Sequence, residues 1–156
     1  MNMVNPGTRI LIADSDRAVL EMLQIRLDLA GYHALAARSG PAALEMAHNM
    51  RPAILVLDLA ITEMSAFEVL AALQRDVSRP CGQILLVGKR LGVEEVKRGA
   101  ALGVRACMLK PFSGADLVER VGKMLKPASP ERPPANGFGS RVAPAARPAP
   151  SSNVFI

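Results

Sequence analysis

Short apolar runs alternate with amphipathic stretches from Thr8 to about Lys126, a pattern of parallel βαβ units rather than of hairpins. The runs predict strands at Arg9–Ala13, His33–Ala36, Ala53–Leu57, Gln83–Val87 and Ala106–Leu109. The third and fourth are apolar at consecutive positions, as strands covered on both faces must be. Five helices are expected between and after them. The first begins near Ser15, turns Val19, Leu20, Leu23 and Leu27 inward, and stops at Gly31, where a left-handed cap carries no Cβ penalty. Ser39 and Pro41 open the second, and Phe67, Leu70 and Leu73 mark the third. The fourth is short, with Val93, Val96 and Ala100 expected to face inward, and Gly99 within it costs about 1 kcal/mol of helix propensity. Ser113-x-x-Asp116 caps the fifth, which buries Leu117, Val118, Val121 and Leu125. These elements predict an α/β fold, a doubly wound five-stranded parallel sheet with five helices.

The character of the chain changes after Lys126, since seven of its 12 prolines fall between Pro127 and Pro150, among Ala, Ser, Gly and isolated Arg. Such a composition cannot bury enough apolar surface to offset ordering. The expected organisation is an N-terminal extension over 1–7, one domain over 8–126 and a disordered Pro/Ala-rich tail over 127–156. The apolar Val154-Phe155-Ile156 at the end of a polar stalk reads as a remnant without a role or as a short docking motif.

The 156 residues suffice for one core, and no apolar run is long enough to cross a bilayer. Residues 1–7 lack the basic start and apolar stretch of an export signal, so a cytoplasmic location is expected. Cys81 and Cys107 lie far apart with no ligand spacing around them, which predicts reduced structural thiols. The net charge is +5. Arg132, Arg141 and Arg147 against Glu131 place +2 of it in the tail and leave +3 on the body, little for a nucleic-acid binder. One tyrosine and no tryptophan leave little for base stacking, and no helix-turn-helix pattern follows Lys126. DNA binding is therefore disfavoured.

In an open parallel sheet, functional groups gather beyond the carboxyl ends of the strands. There the sequence places Asp14-Ser15-Asp16, Asp58, Gly88-Lys89-Arg90 and Lys110-Pro111-Phe112. Two acids and a lysine at one crevice suggest phosphate chemistry. The Asp58 carboxylate would attack phosphorus, a divalent cation shielding the charge that develops. Asp14, Asp58 and the backbone carbonyl of Ala60 would hold Mg²⁺, which prefers hard oxygen ligands and retains several waters. Lys110 would place a fixed positive charge against a phosphoryl oxygen, and Pro111 would hold its loop, with a cis peptide as one option. Asp14 could equally be a turn former or cap. Asp58 is harder to dismiss, because an idle carboxylate ending the most hydrophobic strand would carry a desolvation cost without return.

Ile-Leu-Ile-Ala-Asp14, Leu-Val-Leu-Asp58 and Lys110-Pro111-Phe112, with the spacing from Asp58 to Phe67 and Gly103 ahead of the fifth strand, resemble the receiver domains of bacterial response regulators. The resemblance spans about 8–126. It implies the CheY-like, flavodoxin-like strand order 2-1-3-4-5 and phosphoryl transfer to Asp58 from a histidine kinase or histidine phosphotransfer protein. It also implies Mg²⁺ dependence, control of a downstream protein by binding, and no enzymatic turnover in the ordinary sense. The departures are specific. Ser15 stands where receivers carry a second acid, so weaker Mg²⁺ binding is expected. Gly88 and Cys107 replace the hydroxyl and aromatic residues of the usual switch, and Thr62 and Ala66 replace a proline and a glycine. Lys89 replaces a small residue, and its ammonium is expected to swing toward Asp58 and stand in part for the cation. Three functions follow: a working single-domain receiver, a degenerate one that binds a protein independently of phosphate, or a degenerate one that binds a cyclic dinucleotide. The last would use an anion patch of Lys89, Arg90, Lys97, Arg98 and Arg105 around the fourth helix.

Overall fold

The computed structural model describes residues 7–126 and 154–155. Five parallel strands alternate with five helices: β1 (Arg9–Ala13), α1 (Arg17–Leu29), β2 (His33–Ala37), α2 (Gly40–Met50), β3 (Ile54–Asp58), α3 (Ala66–Arg75), β4 (Gln83–Gly88), α4 (Val93–Ala101), β5 (Ala106–Leu109) and α5 (Gly114–Leu125). The sheet order is β2-β1-β3-β4-β5, as expected, and it continues into a sixth strand, β6 (Val154–Phe155), antiparallel to β5. The tail up to residue 153, and the extension before residue 7, lie outside the described residues.

The strand period of two explains the layering. Along β3, Ile54 and Val56 meet Leu20, Leu23 and Leu27 of α1 and Leu117 and Val121 of α5 on one face. Leu55 and Leu57 meet Ala43 and Ala47 of α2 and Val69, Leu70 and Leu73 of α3 on the other. Every residue of β3 is buried, Asp58 included, which is why this strand reads as an unbroken apolar run up to a single acid.

Helix boundaries follow local chemistry. Asp16, not Ser15, caps α1: its side chain accepts from the N–H groups of Ala18 and Val19. Ser65 with Glu68 and Ser113 with Asp116 form reciprocal capping boxes at α3 and α5. Gly31, after α1, takes φ 100°, and Gly103, after α4, takes φ 97°, the left-handed region where glycine is favoured. The face expected for α4 needs correction. Val93 is 68% exposed, Ala100 is exposed and Val96 is half-buried, whereas Gly99 alone is buried. A Cβ on Gly99 would lie 3.3 Å from Leu86 and from Val104, so the glycine lets the helix approach the sheet and offsets its propensity cost.

Candidate functional site

The crevice lies where β1, β3, β4 and β5 end. Main-chain bonds fix the loops that leave them. Asp14 N–H donates to Ala37 O (3.1 Å), Leu59 N–H to Val87 O (2.7 Å), Ile61 N–H to Asp58 O (3.1 Å) and Lys110 N–H to Gly88 O (2.8 Å). An open pocket of about 470 Å³ results, lined by Asp14, Ser15, Asp16, Asp58, Ala60, Lys89, Arg90 and Lys110, with Leu59 and Gly88 between them.

Asp14 and Asp58 are the buried charged residues of the described chain, at 3% and 5% exposure. Lys110 joins them: its Nζ lies 2.7 Å from Asp14 Oδ2 and 3.3 Å from Asp58 Oδ1. The second oxygen of Asp14 accepts the N–H of Asp16 at 2.9 Å. Burial pushes the Asp58 carboxyl above its ordinary range, the charge of Asp14 adds to this, and Lys110 together with a hydrogen bond from the Ala60 backbone opposes it. Burial alone would lower the Lys110 ammonium, but its hydrogen bond to Asp14 and the charge of Asp58 outweigh that and raise it. The ammonium therefore stays charged between the two acids. The Lys110–Pro111 peptide is cis.

Two carboxylates and Ala60 at the rim are hard oxygen ligands suited to a strongly hydrated Mg²⁺. Ser15 contributes a hydroxyl where a carboxylate would complete the set, and Asp16 is committed to capping α1. Among the described residues, no three His, Cys, Asp or Glu side chains converge as a metal group. The fit is to a cation bound through two acids and water.

The positions compared with the receiver switch are equally specific. A Cβ on Gly88 would stand 3.1 Å from Leu59 Cβ, so Leu59 takes the space that a hydroxyl side chain would need. Cys107 is buried, and burial raises its thiol to about 11, as it does for Cys81, so both stay protonated and inert. The five cations of the expected anion patch do not gather. Lys89 and Arg90 flank the pocket beyond β4, while the Arg105 N–H donates to Ile84 O at the other end of that strand. Five residues of strand separate these ends, roughly 16 Å. Arg98 instead stacks on Phe67, 4.2 Å from the ring centroid, a contact that the apolar pattern of α3 did not disclose.

Over residues 10–122 the sequence matches the response regulator receiver domain family. The chain belongs to that family. Response regulator MprA of Mycobacterium sp. (strain KMS) is 34% identical over 129 residues, which cover 81% of this chain and 54% of MprA. MprA of Mycobacterium bovis (strain BCG / Pasteur 1173P2) is 35% identical over 128 residues, 80% of this chain and 54% of that protein. This receiver thus spans about half the length of these curated relatives. The fold is that of Vibrio cholerae chemotaxis protein CheY4 (TM-score 0.72, 24% identity, 76% of this chain and 99% of that one). It is also that of a CheY-like receiver domain protein from Methanospirillum hungatei JF-1 (TM-score 0.70, 24% identity, 76% and 93%). The receiver is a module of two-component signalling, and none of its described helices is long and apolar enough to cross a membrane.

Proposed function

We propose that this receiver accepts a phosphoryl group on Asp58 from a histidine kinase or histidine phosphotransfer protein and controls a downstream protein by binding it. The observation that carries the reading is the meeting of Asp58, Asp14 and Lys110 in a pocket open to solvent. An Asp58 oxygen attacks phosphorus, the bond from phosphorus to the donor histidine nitrogen breaks, and the imidazole leaves with that electron pair. Lys110, held by Asp14, offers its ammonium to an oxygen of the transferring group. Lys89 and Arg90 at the rim draw the anionic donor in. Asp14, Asp58 and the Ala60 carbonyl would hold Mg²⁺, which would supply charge shielding when bound, and Ser15 in place of an acid would weaken that hold.

Incubation with acetyl phosphate and Mg²⁺, followed by intact mass measurement, tests this. The expected product is one phosphoryl adduct, absent from Asp58→Asn; a wild-type chain with no adduct, or an adduct that persists in Asp58→Asn, overturns it. Ser15→Asp should tighten Mg²⁺ by about tenfold, since affinity tracks the number of charged ligands, and speed adduct formation.

The packing of Leu59 over Gly88 favours a second reading, a receiver whose protein binding does not depend on phosphate. Under it, Asp58→Asn pulls down the same partner as wild type.

A further inference from the structure

The phosphoacceptor reading leaves β6 unused. β5 closes the parallel sheet on one side, and the outer edge of such a strand offers unpaired N–H and C=O groups to any extended chain. Here that edge is taken by Val154–Phe155 of the same chain, antiparallel, with Val154 opposite Met108 and Phe155 opposite Cys107. We propose that Val154–Phe155 is a built-in ligand of the β5 edge: the chain augments its own sheet and thereby closes, to a partner's extended segment, the strip between α4 and α5.

The alternation of a strand supports this in detail. Within β5, the register with β4 and the Lys110 N–H bond to Gly88 O (2.8 Å) turn the N–H groups of Ala106, Met108 and Lys110 toward β4, so those of Cys107 and Leu109 face away from it. Cys107 and Phe155 are then a hydrogen-bonded pair, each amide donating to the other's carbonyl. The sequence suits this: a valine and a phenylalanine, both strand formers, end a stalk of proline, alanine and serine. Reach is no obstacle. The 27 residues from Pro127 to Asn153 could span roughly 90 Å when extended, far more than the step from the end of α5 to neighbouring β5. Flanking protection is thin, since α4 buries Gly99 alone, so the edge is open to a competitor whenever β6 leaves.

The proposal is independent of phosphoryl transfer, and its test reads a different atom. Amide hydrogen exchange by NMR is followed on the full chain, on Phe155→Pro, which removes the donor to Cys107, and on the chain lacking residues 154–156. The Cys107 amide is expected to exchange at least tenfold faster in both variants, while Leu85 and Val56 at the sheet centre are unchanged. Equal Cys107 exchange in all three proteins overturns the proposal. Protection that disappears on dilution, with a dimer at high concentration, also overturns it, because the strand would then come from a second copy. A chain that forms no phosphoryl adduct yet shows the Cys107 effect refutes only the phosphoacceptor reading.

Discussion

At the scale of single residues, the chemistry turns on what Asp58 and Gly88 are allowed to touch. Lys110 answers two acids at once, so neither carboxylate is left unpaired and buried, the arrangement that costs most. Gly88 is a different constraint. Leu59 is pinned by its N–H to Val87 O, and its Cβ would sit 3.1 Å from a Cβ at position 88. That separation is tighter than ordinary packing, and backbone pinning leaves little room to yield. Gly88→Thr, which returns the hydroxyl expected of the family, should therefore destabilise the chain by about 1–3 kcal/mol, the usual cost of overpacking. Gly88→Thr with Leu59→Gly, which removes the opposing Cβ, should relieve that contact and recover part of the loss. Urea midpoints of the two variants decide the matter: a fully stable single variant means Leu59 is free to move aside.

Between elements, the contacts that matter are few and specific. α4 rests on the sheet through Gly99, and its Val93 stays exposed, which explains how periodicity misplaced its inner face: the closest approach is made by a residue with no side chain to count. On the opposite side of the sheet from α1, α2 is tied to the turn after α3. His48 Nδ1 meets Leu44 O within α2, and its Nε2 meets Asp76, whose carboxylate also accepts from the N–H and hydroxyl of Ser78. The bond to the Leu44 carbonyl, then that to Asp76, raises the imidazole above 6.5. Ser78 and then His48 hold Asp76 down to about 2. A raised imidazole stabilises fully below 6.5 and loses its contribution as pH climbs through the folded value; a depressed carboxyl stabilises above 3.8 and loses it as pH falls through about 2. The tie is complete between 3.8 and 6.5. NMR titration should place His48 above 6.5, and Asp76→Asn should lower it. An unmoved imidazole would remove Asp76 from the tie.

For the molecule as a whole, the parallel strands and the crevice were legible because the sequence writes them as apolar runs ending in a chemical residue, Asp14, Asp58 or Lys110, while the strand order followed from the resemblance to receivers. What stayed hidden depends on approach rather than pattern. Arg105 and Lys89 look clustered along the chain but sit at opposite ends of β4 and β5. Two residues of β6 follow a long proline-rich stretch, and pairing across such a distance leaves no periodicity to read. The same core that makes Asp58 legible also sets the global pH response. Burial and Asp14 lift its carboxyl above 3.8 in the folded chain, so between 3.8 and that raised value the folded state binds more protons than the unfolded one. Stability contributed by this group is then full below 3.8 and falls as pH rises through the folded value. Asp58→Asn removes the buried charge while keeping the volume. It should be more stable than wild type at neutral pH by about 1 kcal/mol, a rise in Tm of roughly 4–8 °C for a domain of this size. The gain should shrink toward pH 3, where wild type is protonated as well. Melting curves across this range check both parts. A variant less stable than wild type at neutral pH would mean that Lys110 repays the burial of Asp58 in full, and the acid would then be a structural partner rather than one held at a cost for chemistry.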